Sequence, residues 1–163
     1  TFANQNSDSN TDIYGATIGF NALIKGFELN GDFNITKGVD NRADSGPLAH
    51  IPPNFGKLEV IKNIGRWKGR FLFLYAGEKP ANEFDYSGID NLDETPLILS
   101  EDEQTWAGSP AWYTLNLSVQ YQLNKMINLQ FGIDNIMDMH YKTFGSGLSA
   151  AGRNFICSAL LSF

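Results

Sequence analysis

Apolar side chains in this chain recur at every second position over long stretches, the mark of strands with one apolar and one polar face. The cleanest run is Trp112 to Leu123: Tyr113, Leu115, Leu117, Val119, Tyr121 and Leu123 share one face, and Thr114, Asn116, Ser118, Gln120 and Gln122 the other. Met126 to Asp134 repeats it with Ile127, Leu129, Phe131 and Ile133, and Arg153 to Phe163 with Phe155, Cys157, Ala159, Leu161 and Phe163. Near the N-terminus, Phe27, Leu29, Phe33 and Ile35 alternate with Glu28, Asn30, Asp32, Asn34 and Thr36, and Tyr14, Ile18, Phe20 and Ala22 alternate with Gly15, Thr17, Gly19 and Asn21. Two further stretches read as strands with a blurred pattern, because Leu72 and Leu74 fall on the face that also carries Lys68 and Arg70. The expectation is seven strands, at about 13–23, 27–37, 55–62, 67–77, 112–123, 126–134 and 153–163.

The connections alternate as regularly as the strands. Ile24-Lys25-Gly26, Asn63-Ile64-Gly65-Arg66 and Asn124-Lys125 are tight turns, whereas residues 38–54, 78–111 and 135–152 are long and rich in Gly, Ser, Asn, Asp and Pro. In an antiparallel up-and-down meander this puts every tight turn at one end and every long loop at the other. Charge divides the same way. From Lys79 to Pro110 there are eight acids against the single base Lys79, while Lys25, Lys62, Arg66, Lys68, Arg70 and Lys125 gather toward the turns.

Composition removes several classes of function. At 163 residues, 42% hydrophobic and 18% charged, the chain is too apolar for intrinsic disorder. A net charge of -6 leaves no basic excess for a phosphate backbone, so no nucleic-acid partner is expected. The lone Cys157 forms no internal disulfide, and no Cys/His cluster has zinc spacing. No stretch approaches the roughly 20 apolar residues of a membrane-spanning helix. The opening Thr1-Phe2-Ala3-Asn4-Gln5-Asn6 has neither a basic nor an apolar signal-peptide region, as though the chain were cut from something longer.

Alternation alone leaves the solvent of the apolar face open: a second sheet in a soluble sandwich, or lipid around an outer-membrane barrel. Tyr113 with Tyr121, and Trp67 with Tyr75, stand eight residues apart on the apolar face. Eight steps of ~3.4 Å tilted by roughly 40° cover about 20 Å, close to the apolar band between aromatic girdles. Strands of roughly ten residues exceed the usual five or six of soluble sheets. The closing run Phe155, Cys157, Ala159, Leu161 and Phe163 resembles the C-terminal signature by which outer-membrane barrels are recognised for assembly.

Four motifs in order resemble the end of a TonB-dependent outer-membrane receptor. Asn135-Ile136-Met137-Asp138-Met139-His140-Tyr141 is similar to the family's N-L-x-D-x-x-Y segment, and Ser146-Gly147-Leu148 with Ala151-Gly152-Arg153-Asn154-Phe155 resembles S-G-[IL] and P-G-R-N-F, with Ala151 where the family has Pro. Ile51-Pro52-Pro53-Asn54-Phe55-Gly56 resembles I-P-P-x-x-G, and Trp112-Tyr113-Thr114-Leu115-Asn116 resembles W-Y-x-L-N. The resemblance implies an all-β fold: the last seven strands of a transmembrane barrel of about 22 strands. It further implies tight turns toward the periplasm, loops 38–54, 78–111 and 135–152 toward the exterior, and a plug domain and the remaining strands upstream. The implied partners are outer-membrane lipid, a TonB-type energy-coupling complex and a small-molecule or metal-complex ligand, with no resident cofactor. The implied activity is uptake of a scarce nutrient, a ferric siderophore or another metal complex. A soluble carbohydrate-binding sandwich using Trp106 and Trp112, and a barrel without transport such as an adhesin, are the alternatives.

No catalytic constellation is visible, since His50 and His140 are the only histidines and the acids crowd into a loop. Phe84, Tyr86, Trp106, Trp112, His140 and Phe144 are the loop residues expected to contact a ligand. Met137, Met139 and His140 form a soft-ligand group suited to copper or haem contact. Asp85, Asp90, Asp93 and Glu94 offer hard oxygen ligands, but their spacing fits no calcium motif, so a solvated acidic loop is expected.

Overall fold

A computed structural model describes residues 11–41, 46–99 and 104–162. The strands in chain order are β1 (Thr11–Ile24), β2 (Phe27–Asp40), β3 (Phe55–Ile64), β4 (Trp67–Ala76), β5 (Lys79–Pro80), β6 (Leu97–Leu99), β7 (Gln104–Trp106), β8 (Gly108–Ser109), β9 (Trp112–Gln122), β10 (Ile127–Asp134) and β11 (Asn154–Leu161). Seven of them form one antiparallel sheet in the order β1-β2-β3-β4-β9-β10-β11, and the short ones pair as β5 with β8 and β6 with β7. The all-β meander expected from the alternation is therefore what the chain adopts.

Local chemistry fixes the register. Lys25 and Gly26 both take positive φ between the paired residues Ile24 and Phe27, a backbone whose twist matches that of the flanking strands. Gly65 supplies the positive φ between Ile64 and Trp67. At the third turn the Asn124 side-chain oxygen accepts the Met126 and Ile127 amides, at 2.8 and 2.9 Å. With registers pinned, like faces line up across the sheet: Phe20, Gly31, Leu58, Phe73 and Leu115 form one apolar row, and Asp32, Lys57, Leu74 and Thr114 one row of the opposite face. Leu72 and Leu74 thus stand among polar neighbours, Leu72 across from Glu59 and Asn116.

The two faces differ in how their groups are satisfied. On the polar face Asn30 donates to Glu59 at 3.1 Å, Arg70 pairs with the same carboxylate, and Lys57 lies 3.3 Å from Asp32. Asn116 continues the network, donating to the Leu72 carbonyl and accepting the Asn135 amide. The apolar face carries aromatic belts: Trp67 and Tyr121 lie with centroids 4.4 Å apart near the turns, and Phe73 and Tyr113 6.0 Å apart toward the loops. The Phe20 ring lies over Gly31, where a Cβ would come within 2.4 Å of it.

Among the described residues only Ala76 and Phe84 are buried hydrophobics, while Ile18, Leu23, Phe131 and Phe155 are more than half exposed. A water-soluble domain of this size buries its large apolar side chains in a close-packed core. The sandwich alternative required a second sheet over the apolar face. Among the described residues the seven long strands form a single sheet and the other strands are two-stranded ribbons in one loop, so no second sheet of these residues lies over the apolar face.

Candidate functional site at the loop end

The three long loops emerge from one end of the sheet and are fastened together around Lys79, in β5 just after β4. Its residue is 2% exposed. The ammonium donates to the Ile51 carbonyl at 2.6 Å, lies 3.4 Å from Asp90, and stands over the Phe144 and Phe84 rings at 4.2 and 5.0 Å. One side chain therefore touches all three loops. Burial pushes the Lys79 amine below its ordinary value, against the upward pull of the Asp90 carboxylate.

Asp90 completes the fastening. It is 2% exposed, accepts the His50 amide at 2.9 Å and lies 3.3 Å from His50 Nδ1. His50 adopts positive φ, which turns its amide and ring toward one carboxylate. Asp85 is also buried; desolvation raises its pKa, but hydrogen bonds from the Ser87 hydroxyl and amide and from the Asp90 and Ile89 amides outweigh this and hold the carboxyl below its ordinary value. The acidic loop is thus not simply solvated, as its composition suggests. Two of its acids are internal, and among the described residues no group of three His, Cys, Asp or Glu side chains could hold a metal. Glu101, Asp102 and Glu103 lie outside the described residues.

Further ties join the second and third loops. Lys142 donates to the Glu94 carbonyl at 2.8 Å and pairs with its carboxylate at 3.2 Å, and Asn91 donates to the Gly145 carbonyl. Between these loops lies a cavity of about 290 Å³ walled by Asp90, Glu94, Trp112, His140, Tyr141 and Lys142. A second cavity, of about 430 Å³, lies beneath Phe144, with Phe55, Lys57, Leu74 and Trp112 among its walls. Trp112 lines both, and its indole stacks on Tyr141 with centroids 4.1 Å apart.

The residues singled out in the sequence separate accordingly. Trp112, His140 and Phe144 line cavities, with His140 Nε2 also 2.9 Å from the Ser149 hydroxyl. Phe84 is 1% exposed and packs edge-on against Phe144, where it props the loops. Tyr86 is 80% exposed with its ring against Gly46, and Trp106 sits in the β6–β7 ribbon opposite Leu97. Met137 is exposed and Met139 half-buried; the loop carrying them is shaped by Asn135, whose side chain both accepts the Met139 amide and donates to its carbonyl. Phe155, Cys157, Ala159 and Leu161 pair with Ile133, Phe131, Leu129 and Ile127 on the apolar face; Phe163 lies outside the described residues. From the sequence Lys79 carries no expected role, although the lone base in a run of eight acids is a signal, and Asp90 is only one oxygen donor of a solvated loop.

The fold has solved counterparts. The copper transporter OprC superposes with a TM-score of 0.72 at 19% identity over 95% of this chain and 23% of its own. The siderophore receptor PiuA from Acinetobacter baumannii gives 0.62 at 12% identity, over 92% and 21% of the two chains. The ferric-catecholate import receptor Fiu from E. coli K12 gives 0.63 at 14% identity, over 93% and 21%. The chain therefore spans about a fifth to a quarter of the length of these structures. No curated protein sequence matches it. Residues 1–136 match the TonB dependent receptor-like β-barrel family, and the chain, a single antiparallel meander with its long loops at one end, belongs to that family.

Proposed function

We propose that the chain is the C-terminal portion of an outer-membrane receptor of a Gram-negative bacterium, one that takes up a scarce nutrient as a ferric siderophore or another metal complex. The observation that carries the reading is the pair of cavities beneath the fastened loops, with Trp112 shared between them, at the head of a polar sheet face. Aromatic walls offer area to a bulky ligand, and Glu94, His140 and Lys142 add a few polar groups, the usual make-up of a small-molecule site. The family assignment and the copper, siderophore and ferric-catecholate receptors among the fold neighbours support the same class of cargo.

In this reading loops 38–54, 78–111 and 135–152 face the exterior, the polar face lines the lumen, and a plug domain blocks it until energy relayed through a TonB-type complex displaces it. Met137, Met139 and His140 share one loop and would suit copper as cargo, with thioether and imidazole as soft donors. The test is uptake by cells carrying or lacking the full-length receptor, under iron and under copper restriction, with ferric siderophores and copper as probes. Receptor-dependent, energy-dependent accumulation of one of them supports the reading. Accumulation equal with and without the receptor for all of them overturns it.

A further inference from the structure

The cations of this chain divide by whether they have a carboxylate. Lys37, Lys57, Arg70, Lys79 and Lys142 each pair with an acid. Lys57 and Arg70 lie on the polar face, Lys79 and Lys142 in the loops, and Lys37 on the apolar side of β2 close to its loop end, across from Tyr14. At the turn end Lys25, Lys62, Arg66, Lys125 and, on the polar face, Lys68 have no ion pair among the described residues, and Glu28 accepts instead from Asn63. At the loop end Arg153 also lacks one and donates to the Ile136 carbonyl. An acidic chain thus keeps a cluster of uncompensated positive charge at one end of its sheet.

Backbone ties make the cluster continuous. Lys62 donates to the Lys25 carbonyl at 2.9 Å, joining the first turn to the end of β3. Arg66 donates to the Leu123 carbonyl at 3.2 Å while its own carbonyl accepts the Gln122 amide, joining the second turn to the third, where Lys125 follows. Position on the sheet is the second observation. Lys62 lies on the apolar face in the row of Ile24, Phe27 and Val119, its ammonium 4.3 Å from the Phe27 ring, and Arg66 adjoins Trp67, which stacks on Tyr121. The charges therefore border the aromatic belt. A long basic side chain there lays its stem along apolar surface and lifts its head into the interface.

We propose that this basic collar binds the phosphate groups of anionic phospholipids in the leaflet at the turn end and thereby sets the depth of this part of the barrel. The inference rests on the reading that the apolar face meets lipid. It adds a lipid selectivity that apolar burial alone does not give, since acyl chains are alike under neutral and anionic headgroups. Lys62 is the residue that favours a membrane over a soluble acidic partner, because its row is the apolar face itself.

The test reconstitutes the full-length receptor into nanodiscs of phosphatidylcholine alone or mixed with phosphatidylglycerol, and measures retained lipid by native mass spectrometry and thermal unfolding at low and high salt. The expected result is preferential retention of phosphatidylglycerol and a higher unfolding temperature in the mixed discs, both fading with salt. The triple variant Lys25→Gln, Arg66→Gln, Lys125→Gln should lose that preference by roughly fivefold for each charge removed, with Lys62→Gln adding to the loss. Lys142→Gln, at the other end, should keep it. Equal retention of both lipids by the unaltered receptor overturns the proposal, as does a preference unchanged in the triple variant. Binding of soluble acidic peptide in place of phosphatidylglycerol assigns the collar to a protein partner and also overturns it. Failure to enter even neutral discs instead contradicts the membrane reading itself.

Discussion

Lys79 and Asp90 face each other at 3.4 Å with both side chains almost wholly shielded from water, and between them they touch every long loop of the chain. A buried pair of this kind costs desolvation to form, so its use is geometric: each charge obliges the other, the Ile51 carbonyl and the His50 amide to stay in place. The three loops are thereby one assembly over the cavities.

Removing one partner should expose that obligation. Lys79→Met leaves Asp90 buried without its cation, a loss of about 3–5 kcal/mol in the local stability of the loops. Hydrogen exchange in the full-length receptor should show faster exchange at His50 and through residues 78–99, with β9 and β10 unchanged. Unaltered protection around His50 would mean that the loops hold together without the pair.

Asp85 predicts how the assembly responds to acid. Its folded pKa lies below the ordinary 3.8, so its hydrogen bonds to Ser87 and Asp90 contribute fully above that value and are lost as pH falls through the lower, folded value. Loop protection should stay level from neutral pH to about pH 5 and decline below 3.8. Asp85→Asn should remove that part of the decline.

Trp112 should matter most for ligand affinity. Its indole walls both cavities and stacks on Tyr141, so Trp112→Ala removes an aromatic wall and unseats a second ring, a loss of about 2 kcal/mol or roughly thirtyfold in Kd. Trp106→Ala, in the β6–β7 ribbon, should change Kd by less than about threefold. Binding of a ferric siderophore or copper by calorimetry separates the two.

On the apolar face, two glycines should tolerate a side chain differently. A Cβ at Gly31 meets the Phe20 ring, whereas one at Gly69 meets nothing within 4 Å. Gly31→Val should displace the ring and cost about 1–3 kcal/mol, with Gly69→Ala near neutral, as read by urea unfolding of the reconstituted receptor.

Periodicity made the sheet legible because a register slip of one residue would turn every apolar side chain to the wrong face, so the pattern and the pairing cannot disagree. Leu72 and Leu74 blurred the pattern, yet the tight turn at Gly65 and the flanking strands fix β4 regardless. The loop end was less legible. Its hydrogen bonds run between residues far apart in sequence, such as Asn91 to Gly145 and Lys79 to Ile51, and no local spacing announces them. Composition accordingly suggested a solvated acidic loop, where Asp85 and Asp90 are buried, and loop position did not reveal that Phe84 is 1% exposed. Trp112 and His140, which line a cavity, each adjoin a strand or motif whose register was readable.

The central claim, that the apolar face meets lipid, is tested most directly by spin labels at consecutive positions 115 to 120 of β9 in the full-length receptor in bilayers. The account predicts collision with oxygen that alternates with period two, high at Leu115, Leu117 and Val119 and low at Asn116, Ser118 and Gln120. Low oxygen access at all six positions, or access to a water-soluble relaxant at Leu115, Leu117 and Val119, would contradict it.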